Sequence, residues 1–209
     1  RRYLSTLDAI ALNNIYCGTQ PLQETFWNKH NIATIAIENC PDEYTFDKAV
    51  IRSAFDKRLF YGFDNPQYAF NDIAHQPLIN ETAKNVTSVK NAKNILLLLN
   101  DSKFAQKADL IKALRNTNYD VVVINPLFHE QEQYTKDEIR SLQFKKNGTR
   151  RLLIAEMNIT EAKDNAYYWH PEWKIGHPVW LNRISFVNEN AVITRYWHPE
   201  WKKIISRHF

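Results

Sequence analysis

The sequence predicts an α/β protein built on parallel strands, and three observations carry that expectation. The longest apolar runs, Ile95–Leu99 and Val121–Ile124, have strand length and are continuous rather than alternating, the pattern of strands buried on both faces. Segments with apolar residues at helical spacing separate such runs, so strands and helices alternate along the chain. At 209 residues, 44% of them hydrophobic and 24% charged, the chain has the composition of a globular protein able to bury a core.

Taken in order, Ile10–Tyr16 is a candidate first strand and Ile32–Ile37 a second. Phe46, Ala49, Val50 and Ala54 then share one helical face, and Arg58–Phe63 is the next strand. Residues 64–92 hold Pro66, Pro77 and several Asn without a sustained period. They are the candidate linker between a first segment and a second. The second segment opens with the strand Asn94–Leu99. Leu110, Ile111 and Leu114 mark a helix, and Val121–Ile124 is the following strand. Thr135 and Glu138 have capping-box spacing ahead of a helix through Leu142. Arg151–Ile159 and Ala191–Tyr196 complete the set as further strands of the same parallel sheet. A complete (β/α)8 barrel needs eight such units and typically ~250 residues. This chain is too short for one, and its pattern by itself predicts a parallel sheet covered on both faces by helices.

Composition excludes several functions. The net charge of +4 is spread among both signs rather than gathered in a block, which gives no nucleic-acid footprint. No window approaches the ~18 apolar residues of a membrane span. Gly-rich phosphate loops, nucleophile elbows and HExxH helices are absent from the sequence, so no cofactor is implied. The two cysteines, Cys17 and Cys40, make neither a disulfide framework nor a zinc spacing. They could pair, but two buried thiols is the expectation. The chain starts Arg1-Arg2-Tyr3 with no Met or apolar signal core, as a chain lacking its native N-terminus would.

Tryptophan is the unusual entry in the composition. Five of the six, Trp169, Trp173, Trp180, Trp197 and Trp201, lie in the last fifth of the chain. Four of them sit in a repeat: Tyr168-Trp169-His170-Pro171-Glu172-Trp173-Lys174 recurs as Tyr196-Trp197-His198-Pro199-Glu200-Trp201-Lys202. In each copy Pro suits the first turn of a helix and Glu its N-terminal end. Trp173 and Trp201 are expected to pack in the core. Trp169 and Trp197 precede the helix starts and would lie nearer the loop face, where ligand sites of α/β folds occur. His170 and His198 could form a metal pair or a proton shuttle, but without a carboxylate or cysteine at ligand spacing, capping or surface roles are the expectation.

Hydrolysis of a sugar polymer requires two carboxylates flanking the scissile bond. By position at strand ends the candidates are Glu156, Glu161 and Glu38, whereas Asn125 closes its strand with a neutral amide that cannot exchange a proton. A tryptophan platform without an acid or base would instead suit a lectin-like binding module.

Several stretches occur in one order: Ala92–Asn100, Thr117–Asn125, Arg150–Ala162, Tyr167-Tyr168-Trp169, Arg195-Tyr196-Trp197 and Trp201–Ile205. Together they closely resemble the endo-α-1,4-polygalactosaminidase-like TIM-barrel proteins, glycoside hydrolase family 114. Tyr3–Ile10, Ile37-Glu38-Asn39-Cys40 and Phe60-Tyr61-Gly62-Phe63 resemble the segments around that family's sixth, seventh and eighth strands. The resemblance implies the end of one barrel over 1–75, a linker over 76–92 and the first half of a second barrel over 93–209, and so a partial TIM-barrel-type parallel sheet. It also leaves open that the two halves pack as one sheet, with Arg58–Phe63 beside Asn94–Leu99. Its implied activity is hydrolysis of an α-linked amino-sugar polymer outside the cell.

The chain departs from that pattern where chemistry would reside. Asn125 stands where the family has Asp, and Asn158-Ile159-Thr160-Glu161-Ala162-Lys163 keeps one carboxylate of a two-carboxylate motif. Glu156 and Ala166 replace the usual Tyr and Arg, and Asn13 or Asn14 falls where a Glu is expected. The implied outcome is weak or lost catalysis, with Glu161 and then Glu156 as the surviving acid candidates. Binding of a carbohydrate polymer would fall to Trp169, Trp197, Tyr168, Tyr196 and Asn125.

Overall fold

The computed structural model describes residues 6–18, 32–63, 70–73, 78 and 80–207. Parts of the expected linker and of the Tyr3–Ile10 motif lie outside the described residues. The chain divides into two compact units, residues 1–124 with 135–155, and residues 125–134 with 156–209.

The first unit is built from parallel β-α-β steps. Strands β1 (Ala9–Asn13), β2 (Ala33–Asn39) and β3 (Leu59–Phe63) form one parallel sheet in that order. Helix α1 (Glu43–Phe55) makes the crossover from β2 to β3, with Asp42 capping its start by accepting the Thr45 N–H at 2.8 Å. A second parallel sheet runs β4 (Ile95–Leu98), β5 (Val121–Ile124), β8 (Leu152–Ala155). Its crossovers contain α2 (Lys107–Arg115) and α3 (Lys136–Leu142). The capping box predicted from Thr135 and Glu138 is present in both directions.

Side chains two apart along the strands explain why the runs read as continuous. Ile37 from β2, Leu59 from β3, Ile95 and Leu97 from β4, and Val121 from β5 are buried in one shared core, with Tyr61, Phe63, Val123 and Leu152 packed against it. On the opposite face Leu96, Leu98, Val122 and Ile124 are buried too, as are the helix residues Leu110, Leu114 and Leu142. Strands β3 and β4 are neighbours across this core, though they belong to separate three-stranded sheets. No closed barrel is present among the described residues.

The charged groups buried in this unit are met by other groups of the chain. Asp120 and Lys145 form a fully buried pair at 2.8 Å. The Lys145 ammonium also donates to the carbonyls of Thr82 and Lys84, each at 2.9 Å, which uses its three protons. The other Asp120 oxygen accepts the Lys93 N–H. Arg151 donates from its guanidinium to Thr117 Oγ1 and to the carbonyls of Leu114, Thr117 and Phe144. Burial lowers its pKa to about 10, with Asp120 opposing the shift.

The second unit is different in kind. Strands β9 (Glu161–Lys163), β10 (Leu181–Ile184) and β11 (Ala191–Thr194) form an antiparallel sheet in the order β10-β11-β9. A short hairpin, β6 (Leu127–Phe128) with β7 (Glu132–Gln133), and helix α4 (Pro199–Arg207) complete it. Its core is Ala162, Trp180, Leu181 and Trp201.

Three expectations are corrected. The strand expected over Ala191–Tyr196 exists, but it pairs antiparallel with its neighbours instead of extending the parallel sheet. The strand expected over Arg151–Ile159 stops at Ala155. Beyond it Asn158 turns the backbone by accepting both the N–H and the hydroxyl of Thr160, an Asx turn that competes with strand geometry. Cys17 and Cys40 are a disulfide with Cα atoms 5.1 Å apart, not two thiols. Parallel pairing of β1 with β2 brings the two strand ends, and so both cysteines, to the same edge. Among the described residues no helix is long and apolar enough to cross a membrane.

These contacts set two stability expectations. Lys145→Met leaves Asp120 buried without its cation and is expected to cost about 3–5 kcal/mol in urea unfolding. The double variant Asp120→Asn/Lys145→Met should recover part of that loss. Replacing both cysteines by Ser opens a link between residues 23 apart. It should cost about 3 kcal/mol by loop-closure entropy, and thiol labelling of the unreduced native protein should detect no free cysteine.

Candidate functional site

The second unit carries a solvent-open cleft of about 120 Å3. That is well below the ~300–1,000 Å3 of pockets for drug-sized ligands, so its scale is that of a subsite. Its polar lining is Asn125, Glu130, Glu156, Asn158, Glu161 and Lys163, and its apolar lining includes Leu127, Met157, Tyr167, Tyr168 and Ile205. Four residues singled out from the sequence thus come together here: Asn125, Glu156, Glu161 and Tyr168. Asn125 and Glu156 directly follow β5 and β8, whose register pairs Ile124 with Ala155.

Glu161 opens β9 and accepts two hydrogen bonds, from the Ser185 hydroxyl at 2.5 Å and from the Asn158 side-chain amide at 3.0 Å. Glu156 is exposed at its surface, yet desolvation by its neighbours raises its pKa from the ordinary carboxylate range, with Lys163 acting in the opposite direction. Tyr168 takes the Lys163 N–H on its hydroxyl at 3.4 Å and packs edge-on against Trp201. Burial raises its phenol pKa.

Sequence reading missed Glu130 as a site residue and took Lys163 only as a lost carboxylate. The two are ion-paired, and Glu130 also accepts from the Asn165 amide at 3.1 Å. Glu130 sits in the β6–β7 turn, where it and His129 adopt φ of 62° and 49°, unusual backbone for residues other than Gly. A turn without Gly or Asn-Gly offers no sequence signal for this placement.

The remaining expected sugar contacts divide. Trp169 is half-buried and meets Trp173 edge-on at 5.5 Å, and Trp173 in turn meets Trp180, which stacks on Trp201. Trp169 therefore belongs to a packing chain. Tyr196 and Trp197 are 50% and 59% exposed and lie edge to face at 5.0 Å, an aromatic surface open to solvent. Glu38 is fully buried and its carboxylate accepts the N–H groups of Ile15, Tyr16 and Cys17, a structural anchor for the turn after β1. His170 is exposed, 3.8 Å from Glu172, while the His198 carbonyl accepts the Lys202 N–H at the start of α4. Neither histidine joins a cluster of metal-ligating groups among the described residues. The first unit's aromatic cavity, lined by Phe46, Phe60, Tyr61 and Tyr119 among others, has no carboxylate among the described residues that line it.

No family model matches the chain. It is similar to the uncharacterized protein MJ1477 of Methanocaldococcus jannaschii, with 35% identity over 135 residues. The match covers 61% of this chain and 38% of that relative, so the chain spans well under half of the relative's length.

The environment of Glu156 makes a signed prediction. A raised carboxyl pKa in the folded state favours the protonated form, so this group costs stability as pH rises from the unfolded value near ~4.3 through the raised folded one. Glu156→Gln should therefore increase the urea midpoint at pH 7, with the gain vanishing below about pH 4. In a carbon-13 NMR titration the Glu156 midpoint should lie above the ordinary value, and Lys163→Met should move it higher still.

Proposed function

We propose that this chain is part of a glycosidase-like protein resembling the endo-α-1,4-polygalactosaminidases, and that its acidic cleft binds an amino-sugar polysaccharide with weak or lost catalysis. The observation that carries this reading is the convergence on one cleft of Asn125, Glu156, Glu161 and Tyr168. These are residues marked by the family motifs, and Asn125 lies far along the chain from the other three. The parallel β-α-β steps and the packing of β3 beside β4 support an architecture of barrel halves joined in permuted order.

Electrostatics agrees with the substrate class. The chain is net basic, yet the cleft sets three carboxylates, Glu130, Glu156 and Glu161, against the single ammonium of Lys163. A polymer of protonated amino sugars is attracted to such a surface. Of the carboxyl groups, Glu156 has the raised pKa that suits a proton donor. Asn125 removes a charge while retaining a donor and an acceptor for sugar hydroxyls. Loss of one general acid or base typically costs ~10²–10⁴-fold in rate, so binding outlives turnover. The exposed pair Tyr196 and Trp197 favours the second reading, a non-catalytic carbohydrate-binding remnant. The Cys17–Cys40 disulfide suits the oxidising compartments through which exported proteins pass.

The test uses the full chain and an oligomer of α-1,4-linked galactosamine. Calorimetry should show binding that weakens with added salt and falls in Tyr168→Ala and in Glu161→Ala. Reducing-end release should be slow, and Glu156→Gln should abolish it while binding persists. No release from the unaltered chain, together with loss of binding in Trp197→Ala, would establish the binding-module reading. Absence of oligomer binding would overturn both.

A further inference from the structure

The hydrogen bonds around Glu161 have a fixed direction. Ser185 follows β10, is 5% exposed, and its N–H is held by the Ala191 carbonyl. Its hydroxyl oxygen receives the N–H groups of Val187 at 3.2 Å and Asn188 at 3.3 Å. A hydroxyl has two lone pairs and one proton. With both lone pairs engaged, the proton has one destination, Glu161 Oε1 at 2.5 Å. Asn158 is constrained in the same way. Its Oδ1 accepts the N–H and the hydroxyl of Thr160 at 3.0 and 2.9 Å, so its amide must present NH2 to Glu161 Oε2.

We propose that Ser185 and Asn158 are positioning residues that fix Glu161 as a hydrogen-bond acceptor in the cleft, which assigns Glu161 the part of the site's anion and not of its proton donor. This inference rests on the carbohydrate-binding reading above and deepens it. A carboxylate offers about four lone-pair sites. Two are filled by these donors, and the remainder serve a hydroxyl or ammonium proton of the ligand. Neither positioning residue carries a charge, and neither belongs to the motif carboxylates, so a search for catalytic residues passes over both.

A glutamine at position 161 would present an NH2 to one of two groups that can only donate. Glu161→Gln should therefore lower the unfolding midpoint. Adding Asn158→Asp should restore it, because the carboxylate so introduced accepts both from Thr160 and from the new amide. Ligand affinity should not return in that double variant, since the anion has moved. In the unliganded full chain, the Glu161 carboxyl carbon resonance should shift in Ser185→Ala and in Asn158→Ala and remain in place in Ser185→Thr. Ser185→Ala should weaken binding of the galactosamine oligomer roughly tenfold, with Ser185→Thr restoring it. An unmoved Glu161 resonance in both alanine variants overturns the proposal. So does oligomer binding that is lost in Glu161→Ala but unchanged in Ser185→Ala and Asn158→Ala. A resonance that moves as expected in a chain that binds no oligomer upholds the positioning and overturns the carbohydrate reading instead.

Discussion

Lys145 holds the first unit together at the place where its strands begin. An ammonium moved from water into a protein interior is tolerated only if its charge is paired and its protons are used. Here one proton goes to Asp120 and the other two to the Thr82 and Lys84 carbonyls. Asp120 then orders the neighbouring strand entry by accepting from Lys93, while its own N–H donates to Asn94 Oδ1. These contacts set the start of β4 against the start of β5, from which the register Ile95 to Val121 follows. Arg151 fixes the entry to β8 by donating to carbonyls before and after α2's end. Because side chains alternate along a strand, a slip of one residue here would turn the core-facing set outward. The ends of β5 and β8 inherit the alignment made at their beginnings.

Within the second unit the same rule of satisfied polar groups produces a site instead of a core. Glu161 and Glu156 are close in sequence, but their surroundings differ. Two oriented donors serve Glu161, whereas Glu156 meets chiefly desolvation, tempered by Lys163. Carboxyl groups placed in unlike environments take unlike roles. Lys163 is ion-paired with Glu130, and its charge also opposes the rise in the Glu156 pKa. The residue that looked from the sequence like a lost catalytic carboxylate therefore contributes charge balance to the cleft.

The parallel half of the fold is legible in the sequence because its signals are local. Val121–Ile124 is bounded to the residue, since a run of β-branched side chains buried on both faces has no polar member to blur its edges. Thr135 and Glu138 announce α3 through a cap that needs only a turn of context. The second unit is less legible because its determinants are distant in sequence. β9 is three residues long and acquires its partner only from β11. Ser185 reaches Glu161 across 24 positions, and Lys163 reaches Glu130 across 33. Site carboxylates can be nominated by position, but the groups that orient them have no periodicity and no motif.

The repeated heptapeptide shows how far a motif can be carried without its context. The second copy becomes α4, because Trp201, Ile204 and Ile205 supply an apolar stripe at helical spacing toward the Trp180 and Leu181 core. The first copy is followed by Gly176 at φ 77° and Pro178. Glycine in a left-handed conformation and a residue without an N–H end any helix there, so Pro171 begins turns instead. Identical residues consequently receive different surroundings. Trp201 is buried and gives its indole N–H to the Ile159 carbonyl at 2.8 Å, whereas Trp173 is one link in a chain of ring contacts. Trp197 stays open to solvent while Trp169 is taken into packing. The exposed aromatic pair, Tyr196 and Trp197, thus comes from the second copy, and what decides this is the short stretch of chain that follows each motif.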